Sequence, residues 1–95
     1  MPAYLMGQIR VTNPERYQEY RAQVPAVLAK YGGRFLVRGP QVTALEGKYD
    51  GQRLVVIEFP SMADLDAFYG STEYAPLIAL RQSASTGDLW AMPGV

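Results

Sequence analysis

The feature that most constrains this chain is a hydrophobic period that changes from two to three-and-a-half and back, in one fixed order. From Ala3 to Val11 the residues alternate, with Ala3, Leu5, Gly7, Ile9 and Val11 on one side and Tyr4, Met6, Gln8 and Arg10 on the other. Side chains of an extended chain point to opposite faces in turn, so this segment reads as a strand. After Thr12-Asn13-Pro14 the apolar spacing becomes three and four. Tyr17, Tyr20, Val24, Val27, Leu28 and Tyr31 then form one stripe, as on one face of a helix. Asn13 suits the N-cap and Pro14 the first helical position, where no N–H is needed. Pro25 lies inside the stripe and predicts a kink or short break. Gly32-Gly33 supplies a helix end, because glycine accepts the left-handed conformation there.

Period two returns over Arg34 to Arg38, is interrupted at Gly39-Pro40, and is expected to resume from Gln41 to Glu46. Lys48-Tyr49-Asp50-Gly51 carries turn residues. Arg53 to Phe59, built around Leu54-Val55-Val56-Ile57, is the strongest strand in the chain. Pro60-Ser61 ends it, and Ser61 with Asp64 forms a near capping box for a helix whose stripe is Leu65, Phe68 and Tyr69. Ser71 or Thr72 suits the cap of a second short helix carrying Tyr74, Leu77, Ile78 and Arg81. Asp88 to Met92 is a last strand. The order β-α-β-β-α-β predicts one α+β domain over residues 1–95. Its expected form is a ferredoxin-like sandwich, a four-stranded antiparallel sheet with helices on one face.

Strand parity carries the next inference. Leu5, Ile9, Val55, Ile57 and Leu89 form a purely apolar set suited to the face beneath the helices. The opposite set mixes Met6, Leu54, Val56, Trp90 and Met92 with Gln8, Arg10 and Glu58. A contiguous apolar patch of that kind marks an interaction surface, and a second copy of the same sheet would cover it. A homodimer is therefore expected.

Composition removes whole classes of chemistry. Cysteine and histidine are both absent, which excludes thiol nucleophiles, disulfides, Cys/His zinc sites, His-ligated haem and His-based triads. Nine basic residues balance nine acidic ones, so no net field is available to recruit nucleic acid or an anionic membrane. No apolar run approaches a membrane span. Met1 to Arg10 lacks the basic start of a secretion signal, and a cytoplasmic location is expected. The carboxylates show no calcium-loop spacing, and no phosphate-binding glycine loop, HExxH or GxSxG motif occurs. Neither a metal nor a cofactor is expected.

Several segments resemble one family. Gly32-Gly33-Arg34-Phe35-Leu36-Val37-Arg38-Gly39, Leu45-Glu46-Gly47 and Arg53-Leu54-Val55-Val56-Ile57-Glu58-Phe59-Pro60-Ser61 are similar, in that order, to domain-of-unknown-function family 1330. Asn13-Pro14 leading to Tyr17 and Tyr20, and Tyr74 leading to Arg81, fit the same spacing. The resemblance implies the dimeric α+β barrel superfamily, in agreement with the fold and dimer argued above, and implies no assigned activity. That superfamily includes cofactor-free monooxygenases, haem-degrading enzymes, isomerases and dehalogenases. The haem-degrading branch usually ligates iron through a histidine, which this chain lacks.

Candidate site residues follow from position. Glu58 interrupts the most apolar strand on the face assigned to the dimer. A carboxylate desolvated there would have a raised pKa unless paired, which suits proton transfer. Arg38 is its expected partner, either stabilising an oxyanion or closing a structural salt bridge. Tyr4, Arg38, Glu58 and Ser61 are expected to gather at one sheet edge, where Ser61 opens a helix with free N–H groups. Tyr20, Tyr69 and Tyr74, with Tyr17, would line a pocket between helices and sheet or fill the core with satisfied hydroxyls. Arg81 would clamp an anion or complement a helix C-terminus. Asn13 is read as a cap, Trp90 as interface packing, and Glu46 with Arg53 as a cross-strand pair. The expected function is binding of a small carbonyl-bearing or aromatic molecule. Catalytic, purely binding and structural versions all remain open.

Overall fold

In the computed structural model, which describes residues 1–95, the alternating N-terminal segment is strand β1 (Ala3–Val11). It lies inside a four-stranded sheet with strand order β2-β3-β1-β4, where β2 is Arg34–Gly39, β3 is Arg53–Phe59 and β4 is Ser85–Pro93. All three pairings are antiparallel. Helix α1 (Pro14–Lys30) joins β1 to β2, and α2 (Met62–Tyr69) and α3 (Ala75–Ala84) share the connection from β3 to β4. This is the ferredoxin-like arrangement, with the second helical position divided in two by Gly70 to Tyr74.

The caps act where the residue types place them. Asn13 Oδ1 accepts from the Arg16 N–H at 3.2 Å, with Pro14 opening the helix. Ser61 Oγ accepts from the Asp64 N–H at 3.1 Å. Ser71 Oγ accepts from the Tyr74 N–H at 3.1 Å and holds the turn before α3, although the helix itself begins after Tyr74. Gly32, at φ 76°, ends α1 in the left-handed region. The helix runs on through Pro25, which lies on its exposed side; there water can satisfy the carbonyl that the missing N–H leaves free.

One sheet face is covered. Leu5, Ile9, Val55, Ile57 and Phe59 pack against Val24 and Leu28 of α1, Leu65 and Phe68 of α2, and Tyr74 and Leu77 beside and within α3. The Phe68 and Tyr74 rings lie 4.2 Å apart between centroids. The other face is bare in a single chain. Its rows read Arg34–Glu58–Tyr4–Met92, then Val37–Val56–Met6–Trp90, then Gly39–Leu54–Gln8–Asp88. Val37, Trp90 and Met92 are each about half exposed there.

Three local expectations are corrected. Gln41 to Glu46 is not a strand. Leu54, next to the first residue of β3, already pairs with Gly39, so nothing lies opposite the continuation. The Tyr49 hydroxyl instead ties the loop to the carbonyls of Pro40 and Gln52. Glu46 consequently has no cross-strand relation to Arg53, whose strand partner is Ile9. The last strand is longer than expected, since β1 offers pairing groups as far as Val11, opposite Ser85.

Candidate functional site

Two polar clusters occupy opposite faces of the sheet, and a bulge in β2 decides which arginine joins which. Arg34 lies opposite Glu58 and Phe35 opposite Ile57, but the next pair is Val37 with Val56, leaving Leu36 as an extra residue. Beyond such a bulge every side chain changes face. Arg38, opposite Val55, therefore points to the helix-covered face, whereas Glu58 points to the bare one. The expected Arg38–Glu58 pair does not form.

Arg34 takes that place. Its Nη2 lies 2.7 Å and its Nε 2.9 Å from Glu58 Oε1. The Tyr4 hydroxyl donates to Glu58 Oε2 at 3.1 Å. The Arg34 hydrogen bond, supported by that from Tyr4, holds the Glu58 carboxyl below the ordinary glutamate value despite partial desolvation. Glu58 is thus a paired carboxylate, in contrast to the raised pKa expected of an unpaired one.

The second cluster is a cleft between α1, the start of α3 and the covered sheet face. Its empty space is about 500 Å³ including the open mouth, of which the centre of a water molecule reaches about 30 Å³. Aliphatic and aromatic walls come from Leu5, Ile9, Val24, Phe35, Val55, Ile57, Leu89, Tyr17, Tyr20 and Tyr74. Gly7 forms part of its floor; a Cβ there would come within 2.4 Å of Leu89 Cδ2. Tyr20 and Tyr74 join their hydroxyls at 2.7 Å in the buried wall. Burial pushes both phenols above their ordinary value, and for Tyr74 the neighbouring Tyr20 and Arg81 only partly oppose it.

Four arginines line this cleft: Arg21 from α1, Arg38 from β2, Arg53 from β3 and Arg81 from α3. No carboxylate lines it, and none of the four joins a salt bridge. The Nε atoms of Arg21, Arg53 and Arg81 are buried without a hydrogen-bond partner. Only 8% of Arg81 is exposed. Arg38 stacks over the Phe35 ring at 4.4 Å, and Arg53 lies 5.8 Å from the Tyr17 ring centre.

The remaining candidates separate. Tyr20, Tyr74, Arg38 and Arg81 meet in the cleft, while Tyr4 and Glu58 lie across the sheet. Ser61 is engaged in capping α2, donating to Asp64 Oδ2 at 2.8 Å. Tyr69 stacks edge-on against Tyr74 at 5.9 Å and lines a separate shallow depression with Trp90. Asn13 caps α1. Sequence periodicity does not single out Arg21, Arg34 or Arg53 as site residues. A signal exists for two of them: Arg53 shares the parity of Val55 and Ile57, and Arg21 is four residues from Tyr17 and three from Val24. No group of three or more carboxylates is arranged to hold a metal, and no helix is long and apolar enough to cross a membrane.

This fold is that of the ferredoxin-like α+β proteins. The sequence profile of the family described as domain of unknown function DUF1330 matches residues 2–95, and the chain belongs to that family. Among curated proteins, none matches it in sequence. Similar solved structures include a protein of unknown function from Rhodopseudomonas palustris, at 20% identity and TM-score 0.80, covering 99% of this chain and 82% of that one. A dimeric ferredoxin-like protein of unknown function from Jannaschia sp. CCS1 is 14% identical with TM-score 0.76, covering 99% of this chain and 100% of that one. SnoaB, a cofactor-independent oxygenase from Streptomyces nogalater, is 14% identical with TM-score 0.69, covering 99% and 93%.

Proposed function

We propose that the chain is a homodimeric protein that binds a small organic molecule, aromatic or carbonyl-bearing, in the cleft between its helices and the covered sheet face. The observation that carries this reading is the cleft's composition: aliphatic and aromatic walls with a few converging polar groups, the usual make-up of a small-molecule site. Planar rings stack on tyrosine and phenylalanine walls, and guanidinium groups supply donors for a carbonyl oxygen. The dimer follows from the bare sheet. The Cα frame measures 34 × 34 × 16 Å, a thin slab with helices on one side only, and a second sheet against Val56, Met6 and Trp90 completes the sandwich. The Jannaschia protein's description as dimeric supports this.

For chemistry, the cleft offers oxyanion stabilisation and no carboxylate to act as general base, since Glu58 lies on the other face, and burial pushes the Tyr20 and Tyr74 phenols up. Binding, with or without turnover of a molecule that needs only charge stabilisation, is the function supported best. The cofactor-independent oxygenase among the fold's relatives is consistent with a site of this kind. Ligand-observed NMR with a set of small aromatic and carbonyl compounds tests the reading. Binding is expected in the wild type and is expected to vanish in Val24→Phe, which fills the cleft. Binding undiminished in that variant would overturn it.

A further inference from the structure

Protein interiors satisfy their buried polar groups, and a buried unpaired charge is more costly still. Against that rule, this cleft gathers four of the nine basic residues of a chain with zero net charge, and places no acid among them. Acids are not scarce elsewhere: Arg10 meets Asp50, Lys30 meets Glu73, and Arg34 meets Glu58. The four cleft arginines come from four different elements, so no local helix or strand preference accounts for their convergence. Arg38 reaches the cleft only because of the bulge at Leu36. Three Nε–H groups have no acceptor, and Arg81 is more than nine-tenths buried. The space open to water, about 30 Å³, holds two or three waters at roughly 10–15 Å³ each. Water can hydrate such groups, but it cannot neutralise their charge.

From this we infer that the ligand of the cleft is an organic anion, a carboxylate or enolate carried on a flat apolar body. The anionic group sits among Arg21, Arg53 and Arg81, with Arg38 at the mouth. The inference rests on the small-molecule reading above and narrows its ligand class. Guanidinium groups offer paired N–H donors that match a carboxylate fork, and the aromatic walls take the ring. In the empty protein the arginines repel one another and Arg81 lacks a counter-charge. The site is thus held at a cost to stability that ligand binding relieves.

The test uses benzoate, its neutral analogue benzamide, and inorganic sulfate, with binding followed by calorimetry and by thermal melting at low ionic strength. Benzoate is expected to bind at least about tenfold more tightly than benzamide, the fold-change given by one charge-assisted hydrogen bond, and to weaken as salt is added. Arg81→Met should abolish that preference while melting, without ligand, at or above the wild-type temperature. Arg38→Gln, at the exposed mouth, should reduce it in a protein whose circular dichroism is unchanged, which keeps the test valid if Arg81→Met fails to fold. Benzamide binding as tightly as benzoate would overturn the anion inference and leave the small-molecule reading standing. Sulfate matching benzoate would overturn the organic ligand class. Failure of all three probes to bind at millimolar concentration, together with no hit among neutral aromatic compounds, would remove both readings.

Discussion

Arg34 holds one oxygen of Glu58 with two of its nitrogens, Nη2 at 2.7 Å and Nε at 2.9 Å, and leaves the other oxygen to Tyr4. The three residues are direct neighbours along one row of β2, β3 and β1. Both contacts favour the charged form of the carboxylate. The row ties β2, β3 and β1 together at one end of the bare sheet face.

A pH dependence follows. The folded-state value of Glu58 lies below the ordinary 4.5, chiefly through the Arg34 hydrogen bond. Its stabilising contribution is fully present above the unfolded-state value and is lost as pH falls through the lower folded-state value. Wild-type protein should therefore lose melting temperature on acidification below about pH 4.5 more steeply than Glu58→Gln. Glu73 and Asp50 are shifted the same way, so the difference between the two curves is the quantity to measure. It should be small, because Arg34 is 70% exposed and solvent screens the pair. Parallel curves would show that the pair contributes nothing.

The buried hydroxyl pair gives a second test. Tyr20→Phe removes one partner of the 2.7 Å bond to Tyr74 and should cost about 1–3 kcal/mol by leaving a buried hydroxyl short of a partner. The double variant Tyr20→Phe/Tyr74→Phe should cost less than the sum of the two single changes. Strict additivity in denaturant titrations would contradict a direct bond.

The floor of the cleft can be altered by one methyl group. In Gly7→Ala the new Cβ meets Leu89 Cδ2 at 2.4 Å and the Asp88 carbonyl at 3.3 Å. Leu89 must swing aside, narrowing the cleft it also lines. A stability loss of about 1–2 kcal/mol is expected from such overpacking, with ligand affinity falling further than stability. Calorimetry showing unchanged affinity would place the ligand elsewhere.

The dimer is tested at the centre of the bare face. Val56 stands between Val37 and Met6 in the most apolar row. Sedimentation should give the wild type about twice the chain mass of 10.5 kDa. Val56→Lys should give a monomer or an unfolded chain, since an unpaired charge buried in such an interface costs about 3–5 kcal/mol. A monomeric wild type at micromolar concentration would refute the proposed assembly.

The fold was legible because periodicity and caps agree at every level: Asn13, Ser61 and Gly32 mark ends that the apolar stripes imply independently. The face of each residue on β1 and β3 follows from parity alone. The site was less legible because it depends on register. Simple alternation puts Arg34 and Arg38 on one face, and nothing in Phe35-Leu36-Val37 announces an extra residue. Gln41 to Glu46 has strand-like composition but lacks a partner, which only the topology reveals. The arginine cleft draws on four segments far apart in sequence, and such a convergence leaves no motif.

The bulge at Leu36 gives this strand an unusual tolerance to a change of length. Leu36 is 47% exposed, so substitution there is tolerated on packing grounds. Its presence is dispensable for register too, because it has no partner on β3. Deleting it would close the bulge into plain alternation, with Val37 still opposite Val56 and Arg38 still opposite Val55, so both would keep their faces. Among variants of this chain, one that lacks a residue at the bulge is thus compatible with an arginine facing the cleft from β2.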